Sequence, residues 1–276
     1  IARGAHGEAI AKNGLQVDSH WDSFNVRASV TDNPSTVGVV DLVLHCTKLY
    51  SNTEALPLLG RMVGPDTNIL TIQNGVTSGS MIAEHYGWDR VLQGATYIEA
   101  GMPGPGRVHQ SGSAARIEFG ENDGSTTART AAIRDLFDKP GIQVEVSSNI
   151  VDSLWSKLVS VASIGTTMTA ARATLPEVLA SPRGEASIRT VMEEIVAVGQ
   201  SQGVNFPPRC AAVKLEGAKA EADAYQSSLQ YDLEAGKPLE LDELLGAVVS
   251  IASEADIPVP ASAMLVTVLD KFKHGS

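Results

Sequence analysis

The stretch SLWSKLVSVASIG (153–165) sets a lysine, Lys157, where it could move a proton. Wound as a helix, it puts Leu154, Trp155, Leu158, Ala162 and Gly165 on one inward face, with Lys157 at the edge. The helical neighbours Ile150, Val161 and Ile164 are apolar, and no acid stands three or four residues from the lysine. An ammonium in apolar company has its charged form disfavoured. Its pKa falls toward the range a general acid needs near neutral pH. The ordinary alternative is a lysine that snorkels its ammonium to water, and helical spacing alone favours that alternative. Three other places offer polar groups. In QNG (73–75), Asn74 ends a predicted strand, where ligands meet open α/β sheets, although Asn-Gly is equally a plain turn. In KLYS (48–51), Lys48 stands at another strand end and could offer a cation to a phosphate or carboxylate. A solvated loop lysine is the commoner case. In SSLQYDLEAGKPLELDELLG (227–246), Ser227 and Ser228 fall in a helical stretch, and Glu240, Asp242 and Glu243 open the next helix. A carboxylate placed like Glu240 can cap a helix or bind a hydroxyl.

The elements that must position these residues change rhythm halfway. In the first half, LQVDS (15–19), FNVRASV (24–30), VVDLVLHC (39–46), NILTIQNG (68–75), RVLQGATYIEA (90–100) and IQVEVS (142–147) read as strands. Helical segments fall between them near 52–63, 78–87 and 126–138. The turn cluster at 101–106 leads to RVHQ and ARIEFG, read as the strands of a hairpin. The alternation predicts an α/β sheet with parallel strands. From Asn149, a fair N-cap, the period becomes helical, with helices predicted over 150–164, 184–201, 209–234, 240–255 and 262–273. The fold class expected is therefore α/β, with a Rossmann-like domain over 1–148 followed by an all-helical domain over 149–276. The first domain reads as N-terminally incomplete. Ile1-Ala2-Arg3 suits the end of a second parallel strand, and no GxGxxG turn occurs in the chain. GMPGPG (101–106) has the glycines but carries two prolines and no following apolar helix.

Composition excludes several classes. The chain of 276 residues carries 21 Lys plus Arg against 32 Asp plus Glu, a net charge of −11. An acidic chain without a basic stripe is a poor ligand for nucleic acid or an anionic membrane, so any phosphate must be held by a few local cations. No apolar run approaches the length of a bilayer span. The six histidines form no HxxxH or HxH pair, so no metal site is expected. Cys46 and Cys210 belong to no CxxC pattern and read as reduced core residues of a cytoplasmic protein.

Taken in order, IARG-H, DLVLHCTK, QNG, LWSKL, SSLQYDLEAGKPLELDELLG and ADIPVP resemble the ketopantoate reductase (2-dehydropantoate 2-reductase) family over essentially the whole chain. The long serine–glutamate motif and LWSKL are the most specific parts. The resemblance implies an NADPH-binding Rossmann domain, a helical domain, and reduction of a 2-oxo acid. It makes Lys157 the catalytic proton donor to the carbonyl oxygen. It gives Glu240 the substrate hydroxyl, Ser228 the substrate carboxylate, and Asn74 a place near nicotinamide and substrate. Arg3 falls where the family holds the cofactor 2′-phosphate, and Lys48 close to the cofactor. An acidic helical domain of this size is compatible with a homodimer. The chain departs from the family pattern at two positions: Val161 and Gly165 stand where asparagines are usual four and eight residues after the lysine. That departure implies a 2-oxo acid less polar than ketopantoate. The competing reading is a non-catalytic binding or scaffolding relative, against which the joint retention of Lys157, Ser228, Glu240 and Asn74 argues.

Overall fold

The computed structural model describes residues 1–275. Two compact units divide between Ile150 and Val151, and the second also takes in Lys48–Tyr50 and Asn74–Ser78, the loops that follow two strands of the first.

The first unit begins with α1 (Gly4–Asn13), closed by the left-handed Gly14. It continues through β1 (Leu15–Asp18), β2 (Ser23–Val26), β3 (Leu42–His45), α2 (Asn52–Leu59), β4 (Asn68–Thr71), α3 (Ser78–Tyr86), β5 (Val91–Gly104), β6 (Arg107–Gly120), α4 (Ala128–Phe137) and β7 (Gln143–Val146). The sheet runs in the order β2-β1-β6-β5-β4-β3, with β7 also beside β6. The parallel sheet expected from the alternation is found for β3–β4, β4–β5, β1–β6 and β6–β7, but β1–β2 and β5–β6 are antiparallel. The reversal between β5 and β6 sits at Pro105-Gly106, where Gly106, after a proline, takes the positive φ that the second position of a type II turn requires. RVHQ and ARIEFG are consequently parts of one strand, paired along their length with β5, rather than two strands of a hairpin of their own.

Period-two alternation explains the packing. In β4 and β5, Ile69 and Val91 point to one face and meet Leu56, Leu59 and Ile82 from α2 and α3. Leu70 and Leu92 point to the other and meet Ile133 and Phe137 from α4. Both faces being covered, the strands read as continuous apolar runs. Among the described residues β3 pairs on one side only. Beside it lies a cleft of about 600 Å³ lined by Ile1, Val30, Val37, Val40, Leu42 and Met62 among others. Val39 and Leu44 are exposed there.

The second unit is helical: α5 (Ile150–Ala171), α6 (Leu175–Ala180), α7 (Gly184–Ser201), α8 (Cys210–Ala220), α9 (Ser228–Glu234), α10 (Leu245–Glu254) and α11 (Pro260–Leu269). The inward face expected for α5 is found, with Leu154, Trp155, Leu158, Ala162 and Gly165 all buried. Trp155, Leu158 and Ala162 join Ile188, Met192, Ile195 and Val248 in the main core. Gly199 on α7 is needed for close approach, since a Cβ there would lie 2.7 Å from the Phe206 ring and 3.0 Å from Trp155. Three helical spans are corrected. α5 runs seven residues further than expected, and the span 209–234 breaks at 221–227, where the Ser227 hydroxyl accepts from the N–H of Gln230 to start α9. The helix expected from 240 begins only at Leu245, with Glu240 tied through its side chain ahead of it. α6, unforeseen, is started by a capping box between Thr174 and Glu177. Cys210 is buried as expected, but Cys46 is exposed, one residue past the end of β3. No described helix is long and apolar enough to cross a membrane.

Candidate functional site

Lys157 and Asn74, 83 residues apart in sequence, meet in the helical unit, where Lys157 Nζ donates to Asn74 Oδ1 at 2.8 Å. The turn after β4 delivers the asparagine. It depends on Gly75, whose φ is +92° and whose missing Cβ would lie 3.0 Å from the Glu243 carbonyl oxygen. Burial in the α5 packing pushes the Lys157 ammonium down to a pKa of about 8, against an upward pull from Glu240.

Glu240 is buried and has both oxygens engaged. Oε2 accepts from Lys48 Nζ at 2.9 Å, and Oε1 accepts from the N–H of Leu49 at 2.9 Å. Lys48 Nζ also donates to Asp232 Oδ2 on α9 at 2.8 Å. Burial opposes the charge on Lys48, but the Glu240 and Asp232 carboxylates outweigh it and hold its pKa above the ordinary lysine value. Glu240 is thus tied through its side chain ahead of α10, while its carbonyl already accepts from the Leu244 N–H.

The remaining expected residues are placed less centrally. Ser228 is the first residue of α9 and is exposed, whereas the neighbouring Ser227 is buried. A Cβ at Gly165 would lie 3.0 Å from Ser227 Oγ, so the hydroxyl nearest that turn of α5 belongs to Ser227. Val161, one turn beyond Lys157, packs against the main core. Arg3 is exposed at the N-cap of α1.

Sequence reasoning missed three participants. Asp232 and the Leu49 N–H are recognisable only through their partners more than 180 residues away. The third is Gln73. Within the first unit, its amide donates to the Thr47 carbonyl at 2.8 Å and to Asn52 Oδ1 at 2.8 Å, and Asn52 Oδ1 also meets His45 Nε2 at 2.8 Å. This buried network ties the ends of β3 and β4 together, one residue before Lys48 and one before Asn74. Burial pushes His45 below its usual pKa despite the bond to Asn52, so the network is neutral.

A nicotinamide dinucleotide phosphate asks for a cation at its 2′-phosphate and donors at its pyrophosphate. Arg3 with the first turn of α1 suits the former. Gly4 has a positive φ, and a Cβ there would meet nothing within 4 Å, which leaves the backbone open to a ligand. Among the described residues no group of His, Cys, Asp and Glu could hold a metal ion.

Comparison with known proteins bears on the family and the fold. The model of the ketopantoate reductase PanE/ApbA family matches residues 1–124, and that of its C-terminal region matches residues 149–273. A 2-dehydropantoate 2-reductase of Halobacterium salinarum is 30% identical over 256 residues, covering 92% of this chain and 84% of that protein. One of Mesorhizobium japonicum is 29% identical over 281 residues, covering 94% and 85%. The crystal structure of 2-dehydropantoate 2-reductase from Geobacter metallireducens superposes with a TM-score of 0.91 at 27% identity, over 98% of this chain and 90% of that one.

Proposed function

The chain belongs to the ketopantoate reductase family, and we propose that it reduces the ketone of a 2-oxo acid, ketopantoate or a close relative, with NADPH as reductant. The observation that carries this reading is the Lys157–Asn74 pair: a half-buried ammonium with a pKa of about 8, oriented by an amide oxygen. When bound, the reduced nicotinamide supplies the hydride. Lys157 supplies the proton to the carbonyl oxygen, and its charge stabilises the negative charge that develops there. Asn74 fixes where the ammonium points. Glu240 accepts from a substrate hydroxyl with a lone pair left over from Lys48 and Leu49, and Ser228 donates to the substrate carboxylate. Arg3 selects the 2′-phosphate. Val161 and Gly165 offer no side-chain donor along the lysine's stripe of α5, which favours a substrate less polar than ketopantoate. A homodimer is the assembly proposed for it.

The test is NADPH oxidation by the protein in the presence of ketopantoate and of its analogue lacking the hydroxyl. Turnover of either supports the reading, and its absence with both removes it. The proton donor also fixes a pH dependence. Lys157 must be protonated to act, so kcat/KM is expected to be level below about pH 8 and to fall about tenfold per pH unit above it. A profile that stays level to about pH 10 would exclude Lys157 as the donor.

A further inference from the structure

In the helical unit Lys48 is bound to the buried Glu240 carboxylate, and Lys157 to Asn74. Glu240 holds Lys48 directly, and its field acts on Lys157 from nearby. How much of that field Lys157 feels depends on how well Lys48 neutralises Glu240. The Lys48 side chain is 36% exposed, so water competes for its ammonium. On its other side the ammonium is bound by Asp232, whose side chain is only 13% exposed. We propose that Asp232 is a positioning residue: it locks Lys48 onto Glu240, so that the Glu240 carboxylate stays neutralised there and does not turn onto the Lys157 ammonium. The inference rests on Lys157 being the acid of the reaction. Its geometric basis is the chain of bonds Asp232–Lys48–Glu240–Leu49, with three side chains and one backbone N–H all within 2.9 Å of their partners. The other ionisable groups around the clamp are Tyr50 and Glu243. Tyr50 feels Lys48, Asp232, Glu240 and Glu243, and Glu243, raised by burial, feels Asp242, Glu240 and Lys273.

The clamp makes a prediction opposite in sign to simple electrostatics. Removing the Asp232 charge alone would lower the proton affinity of a nearby lysine. If the clamp operates, Asp232→Asn releases Lys48 toward water, exposes Lys157 to the Glu240 charge, and raises it. The readout is the titration of the lysine side-chain Cε resonances of the isotope-labelled protein, with the Lys157 signal identified by its loss in Lys157→Arg. Asp232→Asn is expected to move the Lys157 midpoint up by about half a pH unit, roughly threefold in proton affinity. The same change made in a Glu240→Gln background is expected to give no upward movement, and Asp232→Glu is expected to keep the midpoint near about 8. A midpoint that falls or stays in Asp232→Asn, or rises equally without Glu240, overturns the clamp. No turnover is needed. Inactivity toward every 2-oxo acid would remove the reading of the reaction, while the clamp stands or falls on the midpoints.

Discussion

Lys157→Ala is expected to lower kcat by about 10³–10⁴-fold with little change in substrate KM, because it removes both the proton donor and the charge that meets the developing alkoxide. The same substitution is expected to stabilise the fold near neutral pH. In the unfolded chain the lysine titrates near its ordinary value of 10.5, and in the folded protein at about 8. Below about pH 8 both states carry the proton, and the folded state bears the full cost of burying it. As pH rises from 8 to 10.5 the folded state is already neutral while the unfolded state still binds the proton, so stability rises with pH. The cost at neutral pH is on the order of 3 kcal/mol, and alanine, the best helix former, removes it in the middle of α5. Thermal melting at pH 7 should therefore show Lys157→Ala at least as stable as the unmodified protein, while steady-state kinetics show it nearly inactive. A variant that retains more than about a tenth of kcat would exclude the lysine from the chemical step.

Glu240→Ala should have the second largest effect, and of a different kind. It leaves the Leu49 N–H without its acceptor and Lys48 with Asp232 as its remaining carboxylate in the clamp. Breaking a buried pair by deleting one partner typically costs about 3–5 kcal/mol. Partial exposure of Lys48 and the surviving Asp232 bond reduce this to roughly 2 kcal/mol. The substrate loses an acceptor for its hydroxyl, so kcat/KM for a hydroxylated 2-oxo acid should fall about 10²-fold, chiefly through KM. A substrate without the hydroxyl should be far less affected. Equal losses for the two substrates, measured in parallel with a melting curve, would mean that Glu240 serves the fold and not the hydroxyl.

What could be read in the sequence follows the range of the forces involved. The inward face of α5 was legible from Leu154 to Gly165 because helical periodicity is local and the face is deeply buried. The buried strands β3 and β4 were legible for the same reason, from unbroken apolar runs. Lys157 could be picked out by its apolar neighbours, but spacing alone favoured an ordinary surface lysine, and only the ordered set of motifs outweighed that. The antiparallel return of β6 hinged on a two-residue Pro-Gly turn that the larger glycine cluster concealed. The late start of α10 and the break before α9 were not legible, since Glu240 is tied through its side chain ahead of α10 and Ser227 caps α9 within an otherwise helical pattern. Asp232 shows the limit most plainly. Nothing local distinguishes it from its acidic neighbour Glu234 on the same short helix. What sets it apart is one ammonium 184 residues upstream.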